Sequence, residues 1–249
     1  MIDAQAPVEV FDEIDSTILE ARRRAERGEV GPVWLIARRQ TAGRGRRGRA
    51  WASLDGNLLA TYLFATRQPP AQIALLGFVA GVAIAQTIDA VVGPGRATLK
   101  WPNDVFVDAA KASGIMLDSG SLGAGGAWAA LAFGVNLAAA PEGVDQPTIS
   151  LRDVLPPDAA APEPLAFLKA LRPRLEAWAA RVERDGFEPL RAAWLERAHG
   201  LGQPARVVQG EQVLEGRIAG LSPRGELDLD TDQGRRLIAA GDVLLPNAA

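Results

Sequence analysis

Three short stretches of this chain hold residue types able to do chemistry at a defined spacing. QTAGRGRRGRAW, residues 40–51, sets Gly43, Gly45 and Gly48 among Arg44, Arg46, Arg47 and Arg49, with no acid between them. LKWPNDVFVDAAKASGI, residues 99–115, places Lys100 and Lys111 on either side of a Trp-Pro-Asn-Asp turn. FGVNLA ends an apolar run on Asn136. Glycine lets backbone N–H groups come close to an anion, and arginine brings forked donors that match phosphate or carboxylate oxygens. The loop lacks GxxxxGK[ST], so it is not a Walker loop. Ordering so many glycines costs about 1–2 kcal/mol of backbone entropy per residue. Charge-assisted hydrogen bonds return about 1.5–3 kcal/mol each. The expectation is a loop that is mobile when empty and ordered by an anionic ligand.

Each stretch alone has a plainer reading. The arginine loop can be a solvated basic turn or an RGG-like RNA-binding segment, although such segments usually lie in long disordered tails rather than between buried strands. Asn103-Asp104 can be an ordinary Asx-turn. Trp101 can pack or stack, and Asn136 can cap a turn or line a pocket. Lysine usage adds weight to the chemical reading. Of 27 Lys and Arg residues only Lys100, Lys111 and Lys169 are lysine, which suggests positions where a compact ammonium is needed. Taken together, the cations, the Asn103 amide able to meet a base edge, and Asp104 as a candidate Mg²⁺ ligand suit nucleotidyl transfer. A carboxylate attacking the α-phosphate of ATP meets charge repulsion, which Arg, Lys and Mg²⁺ remove. The carboxylate is already ionised at neutral pH, so this step needs no general base.

The elements that must position these residues are legible in part. The strands expected are 8–15, 33–38, 56–65, a 97–108 strand broken by Pro102, and a hairpin of 114–121 with 127–138. Thr17-Ile18-Leu19-Glu20 reads as a capping box opening a helix to Gly28. Residues 71–91 read as a buried helix; the unbroken apolar run 73–85 falls short of the roughly 20 residues that cross a bilayer. Residues 138–163 read as an irregular surface connection, 164–185 as a helix kinked or split at Pro173, and 187–198 as a shorter helix. From Gly202 the pattern turns to short alternating segments with Gly at the turns, a small β unit packed on the larger domain. Net charge is −3, so a global nucleic-acid-binding field is not expected. There is no cysteine, and the one histidine, His199, lies in a helix-like surface stretch, which speaks against thiolate zinc sites and a His-based hydrolase. The acidic N-terminal stretch does not read as a signal peptide, and a cytoplasmic protein is expected.

QTAGRGRRGRAW followed by KWPNDV, the later Lys111 and GVN resembles the biotin protein ligases, and the likeness runs from Asp15-Ser16-Thr17 to Gly241-Asp242-Val243. The resemblance implies an α+β fold. Its parts would be a class II synthetase-like mixed-sheet catalytic domain at 1–200 and a small SH3-like β-barrel at 201–249. It implies synthesis of biotinyl-5′-AMP from biotin and MgATP, then transfer of biotin to a lysine of a biotin carboxyl carrier protein. It assigns biotin to Ser16, Thr17, Gln40, Gly43, Arg44, Arg46 and Lys111. It assigns ATP to Arg44, Arg46, Arg49, Trp51, Asn103 and Asn136; Asp104 as a Mg²⁺ ligand, or as a partner for an Arg, stays a reading of the residues themselves. Arg46 and Lys111 would be catalytic, with Lys111 bridging the biotin carboxylate and the α-phosphate. No winged-helix segment precedes the first strand, so a ligase without DNA or membrane partners is expected, as a monomer or weak homodimer. The chain departs from the family at Ile18, usually Asn, at Ser113, usually Ala, and at Asp118, usually Glu. A lipoate ligase is the alternative within the superfamily, although lipoate offers no urea to Ser16, Thr17 and Gln40. An RNA- or DNA-binding module is the alternative outside it.

Overall fold

The computed structural model describes residues 2–144 and 146–245. A seven-stranded sheet forms the larger part, in the order β1 (Val8–Ile14), β2 (Val33–Gln40), β3 (Leu58–Thr66), β7 (Gly126–Val135), β6 (Ala110–Gly123), β5 (Asp104–Val107), β4 (Ala97–Lys100). Only β1 and β2 pair in parallel; the other neighbours are antiparallel, so the sheet is mixed. Strand β2 is apolar without alternation because both its faces are covered. Trp34 and Ile36 face the main core, and Val33 and Leu35 face a smaller one under α1 (Thr17–Glu26).

Helices α3 (Leu76–Val92), α5 (Pro164–Asp185) and α6 (Glu188–Leu195) pack on the main-core face. With α2 (Pro70–Ala74), α3 makes a stretch that is long and apolar enough by composition to cross a membrane, longer than the run 73–85 had suggested. Within it, 67% of the most apolar window is buried inside the protein, as in a core helix. Pro173 does not split α5. It sits on the exposed side, where the amide it lacks and the freed Lys169 carbonyl face water.

The second sheet is antiparallel, in the order β11 (Gly234–Ile238), β10 (Leu227–Thr231), β9 (Gln212–Leu221), β8 (Pro204–Gln209), β12 (Asp242–Leu244). Its Val207, Ile218, Leu227, Leu229 and Val243 join the same hydrophobic cluster as Leu99, Trp101 and Trp194, so the two sheets share one core. Trp101 is buried there and its indole N–H donates to the Gly225 carbonyl at 3.1 Å, a packing role.

Two expected features differ in detail. The strand 97–108 is a tight hairpin, with Trp101–Asn103 as the turn between β4 and β5. The connection 138–163 is not irregular throughout. The Ile149 amide donates to the Lys111 carbonyl and the Lys111 amide to the Pro147 carbonyl, which lays this segment beside β6. A short helix, α4 (Leu151–Val154), follows with a reciprocal capping box between Ser150 and Asp153.

Candidate active site

A cavity of about 1820 Å³ opens between the mixed sheet and the small sheet. Ser16, Thr17, Gln40, Arg44, Arg46, Arg49, Trp51, Asn103, Asp104, Lys111 and Asn136 all line it. Gly43 is the one expected site residue that does not. A Cβ on Gly43 would lie 2.5 Å from the Trp51 carbonyl oxygen, and the Trp51 amide donates to the Gly43 carbonyl at 3.0 Å. Its smallness therefore closes the base of the loop.

One end of the cavity is neutral. The Thr17 amide and hydroxyl both donate to Gln40 Oε1, at 2.8 and 3.1 Å, and the buried Thr61 hydroxyl donates to Thr17 Oγ1 at 2.8 Å. The Gln40 amide donates to Ser53 Oγ at 2.8 Å, fastening the two ends of the arginine loop. These bonds displace the expected capping box. Ser16 occupies the N-cap position without a side-chain cap, Thr17 turns its hydroxyl inward, and Glu20 pairs with Arg23 and Arg24 instead. Arg23 also grips Asp15 with two bonds of 2.8 and 2.9 Å, and Asp15 Oδ1 accepts from the Ser16 amide. The Arg23 hydrogen bonds hold the Asp15 carboxyl below its ordinary range.

The other end is cationic. Residues 43–51 form a small closed loop, with the Gly45 amide donating to the Arg49 carbonyl at 2.8 Å and Arg47 in the left-handed region at φ 55°. Arg47 and Arg49 pair with Asp242 on β12, so the anion missing from the loop's own sequence is supplied from the small sheet. An internal carboxylate thus holds the loop. Arg46 turns inward and donates to Asn103 Oδ1 at 2.9 Å. Burial is the main influence on its guanidinium and pushes its pKa down. Asn103 in turn donates to the Ile115 carbonyl at 2.8 Å, so both halves of its amide are committed to protein groups. Arg44 has no ion-pair partner among the described residues.

Lys111 is aimed by a bulge in the β5–β6 ladder, where Val105 faces Ser113 but Phe106 faces Lys111. Its Nζ lies 2.8 Å from Asp104 Oδ1, with the side chains only 15% and 14% exposed. The short separation makes this a partly buried ion pair held by Coulombic attraction. The same ammonium stands 5.5 Å from the centre of the Trp51 ring, which lies flat on the sheet. Gly114 and Gly134 face each other in β6 and β7 beneath that ring, and a side chain on Gly134 would collide with it. Asn136 is buried and its amide bonds the carbonyls of Lys111 and Ile149, tying β6 to the segment beside it.

Several cavity residues were not singled out as binding groups. Lys100 stands 5.2 Å over the Phe106 ring, and burial, opposed by Asp104, lowers its ammonium pKa. His199 is not on a surface helix. Its amide donates to the Leu99 carbonyl, its ring stacks on Phe106 at 4.8 Å, and burial followed by Lys100 lowers its pKa. Asp242 stands in the Gly-Asp-Val that closes the family likeness, but its sequence does not announce the pairing with the arginine loop; Thr61 and Ser53, which support the cavity from behind Thr17 and Gln40, carry no motif signal. The three family departures have local accounts. Ile18 is buried in the core under α1, Ser113 Oγ donates to the Gly134 carbonyl at 2.7 Å, and Asp118 pairs with Arg22 at 2.6 Å.

Residues 10–133 match the biotin/lipoate A/B protein ligase family, and residues 200–245 match the biotin protein ligase C-terminal domain. A biotin–acetyl-CoA-carboxylase ligase of Paracoccus denitrificans is 38% identical over 232 residues, covering 92% of this chain and 96% of that protein. One from Mycobacterium tuberculosis is 30% identical over 247 residues, covering 95% and 88%. The biotin protein ligase of Aquifex aeolicus, solved in complex with biotin and ATP, shares the fold with a TM-score of 0.80 at 24% identity, over 96% of this chain and 98% of that one. The chain belongs to the biotin protein ligase family.

Proposed function

We propose that this protein is an ATP-dependent biotin–protein ligase that joins biotin to a lysine of the carrier domain of acetyl-CoA carboxylase. The observation that carries the reading is the cavity itself: one neutral end built on Thr17 and Gln40, and one cationic end built on Arg46 and Lys111, in a single space. In this reading Ser16, Thr17 and Gln40 take the ureido ring of biotin, whose donors and acceptors need neutral partners. Arg44, Arg46 and Arg49 take phosphate oxygens, and Trp51, Asn103 and Asn136 shape the space beside the nucleotide. Lys111 exchanges Asp104 for the biotin carboxylate and the α-phosphate as the two approach. A carboxylate oxygen attacks the α-phosphorus, the bond to the bridging oxygen breaks, and pyrophosphate leaves. Arg46 and Lys111 act by stabilising the charge that builds on the phosphoryl oxygens, worth about 10²–10³-fold for each donor.

No group of three acidic or histidine side chains is placed to cage a metal among the described residues. A Mg²⁺ ion carried by the phosphates needs only one or two carboxylates from the protein. Asp104, a carboxylate at the cationic end of the cavity that Lys111 would release, fits that need. In the second step the carrier's lysine amine attacks the acyl carbon of the mixed anhydride and AMP leaves; Asp104, once released by Lys111, is placed to accept the amine proton. Gly43 keeps the arginine loop closed at its base. The domain division we adopt is 1–200 for the reaction and 201–249 for the small sheet, in a cytoplasmic protein acting as a monomer or weak homodimer.

Biotin-dependent exchange of labelled pyrophosphate into ATP tests the reading. Exchange with biotin and none with lipoate is expected. Exchange with lipoate alone would move the chain to the sister acyl-adenylating enzymes, and salt-sensitive nucleic-acid binding without exchange would favour a binding module.

A further inference from the structure

Thr61 is fully buried in the middle of β3, opposite Leu35 of β2 and Ala132 of β7, beneath α1. Both neighbours belong to the apolar cluster on that face. A hydroxyl in such a layer is costly unless it is bonded, and a valine would fill the same space without the cost. Its donation to Thr17 Oγ1, at 2.8 Å, is what the hydroxyl does there.

The consequence is directional. The Thr17 backbone amide can only donate, so the Gln40 atom 2.8 Å from it must be the oxygen. That fixes the amide: Oε1 faces α1 and the Nε2 hydrogens face away, with no protein partner for Nε2 among the described residues. The Thr17 hydroxyl gives its only hydrogen to Oε1 and receives that of Thr61. What remains to Thr17 at the cavity is an acceptor lone pair, and what remains to Gln40 is a donor. A neighbouring acceptor and donor match the N–H and C=O of a cyclic urea.

We propose that Thr61 is a positioning residue that locks the Thr17 hydroxyl, and with it the acceptor half of this acceptor–donor pair, and so sharpens selection for a ureido group. The proposal rests on the ligase reading above. Thr61 touches no ligand itself; it acts through Thr17 and Gln40. Removing its hydroxyl frees the Thr17 rotor and loosens the donor–acceptor pair.

The test uses steady-state pyrophosphate exchange by the whole chain. Thr61→Val should raise KM for biotin about tenfold, the loss expected of one hydrogen bond with its network. The KM for ATP and kcat should stay within twofold of wild type. Desthiobiotin, which keeps the urea and lacks the sulfur ring, should lose the same factor. Thr61→Ser should restore wild-type KM, and in a Gln40→Ala background Thr61→Val should add less than twofold. If the valine variant does not fold, the serine and alanine variants carry the comparison: serine like wild type and alanine impaired. A valine or alanine variant with the serine variant's KM for biotin would overturn the proposal. So would equal rises in both KM values, which would mark a merely structural residue. A wild-type chain that shows no biotin dependence would instead defeat the ligase reading on which the proposal stands.

Discussion

The two ends of the cavity solve opposite problems. At the neutral end the polar groups are tied to one another, Thr61 to Thr17 to Gln40. At the cationic end three of the charges are tied to carboxylates, Lys111 to Asp104 and Arg47 and Arg49 to Asp242, which the ligands replace in the proposed reaction. A neutral urea gives weak individual hydrogen bonds, so its donors and acceptors gain from being fixed in advance. Phosphate and carboxylate bind strongly enough to displace internal partners. Those partners meanwhile keep buried or crowded cations from standing unpaired. In the proposed reading the neutral end is therefore a template, and the cationic end an exchange site.

The largest effect that can break this contrast lies at the cationic end. Lys111→Ala or Arg46→Ala is expected to lower pyrophosphate exchange by about 10²–10³-fold while circular dichroism stays unchanged. Wild-type turnover in either variant would remove that residue from the mechanism. Next comes a reversal of polarity at the neutral end. Gln40→Glu replaces a donor by an acceptor and places a carboxylate beside the urea oxygen. Biotin KM should rise about 10²-fold, the scale of leaving a buried polar group opposed, with ATP KM nearly constant. A matching rise for ATP would mean that the two ends are not separate.

A smaller effect concerns Asp242. The sequence leads to a loop ordered by an anion, and Asp242 supplies an internal one. Asp242→Ala should make residues 40–51 of the empty protein about two- to tenfold more sensitive to trypsin, as expected for exposed ion pairs worth about 0.2–1 kcal/mol each. Biotin with ATP should restore the protection. Cleavage unchanged by the substitution would show that the backbone bonds of the loop suffice.

The smallest effect is in the support of the neutral end. Arg23 lowers the pKa of Asp15, so the stability from this pair is fully present above the ordinary carboxylate pKa and is lost as pH falls through the lowered value. The difference in Tm between wild type and Asp15→Asn should therefore shrink on acidification below about pH 4. A difference that grew on acidification would contradict the assignment.

How much of this was legible before folding follows the same division. The cationic end declares itself, because arginines spaced by glycine between two apolar strands have few structural uses. Strand β2 and the apolar helix α3 were equally plain from their continuous apolar runs. The support of the neutral end was hidden. Thr61 is a single hydroxyl inside LLATYLF, and nothing local says that it meets Thr17, 44 positions away. Asp242 is 195 residues from Arg47, and its pairing depends on how the second sheet docks. Thr17 misled because T-x-x-E is a cap signature; only the nearness of Gln40 and Thr61 turns its hydroxyl inward. The Ser150–Asp153 box was readable as S-x-x-D, but it lay within an Ala- and Pro-rich stretch that suggested a surface connection.

The most direct test of the template and the exchange site is calorimetric titration at low and high salt. Uncharged biotinamide probes the neutral end and ATP the cationic end. Biotinamide is expected to bind with one saturable heat that salt barely alters, and ATP affinity is expected to fall steeply as salt rises. Biotinamide giving no heat, or both ligands weakening equally with salt, would contradict the account.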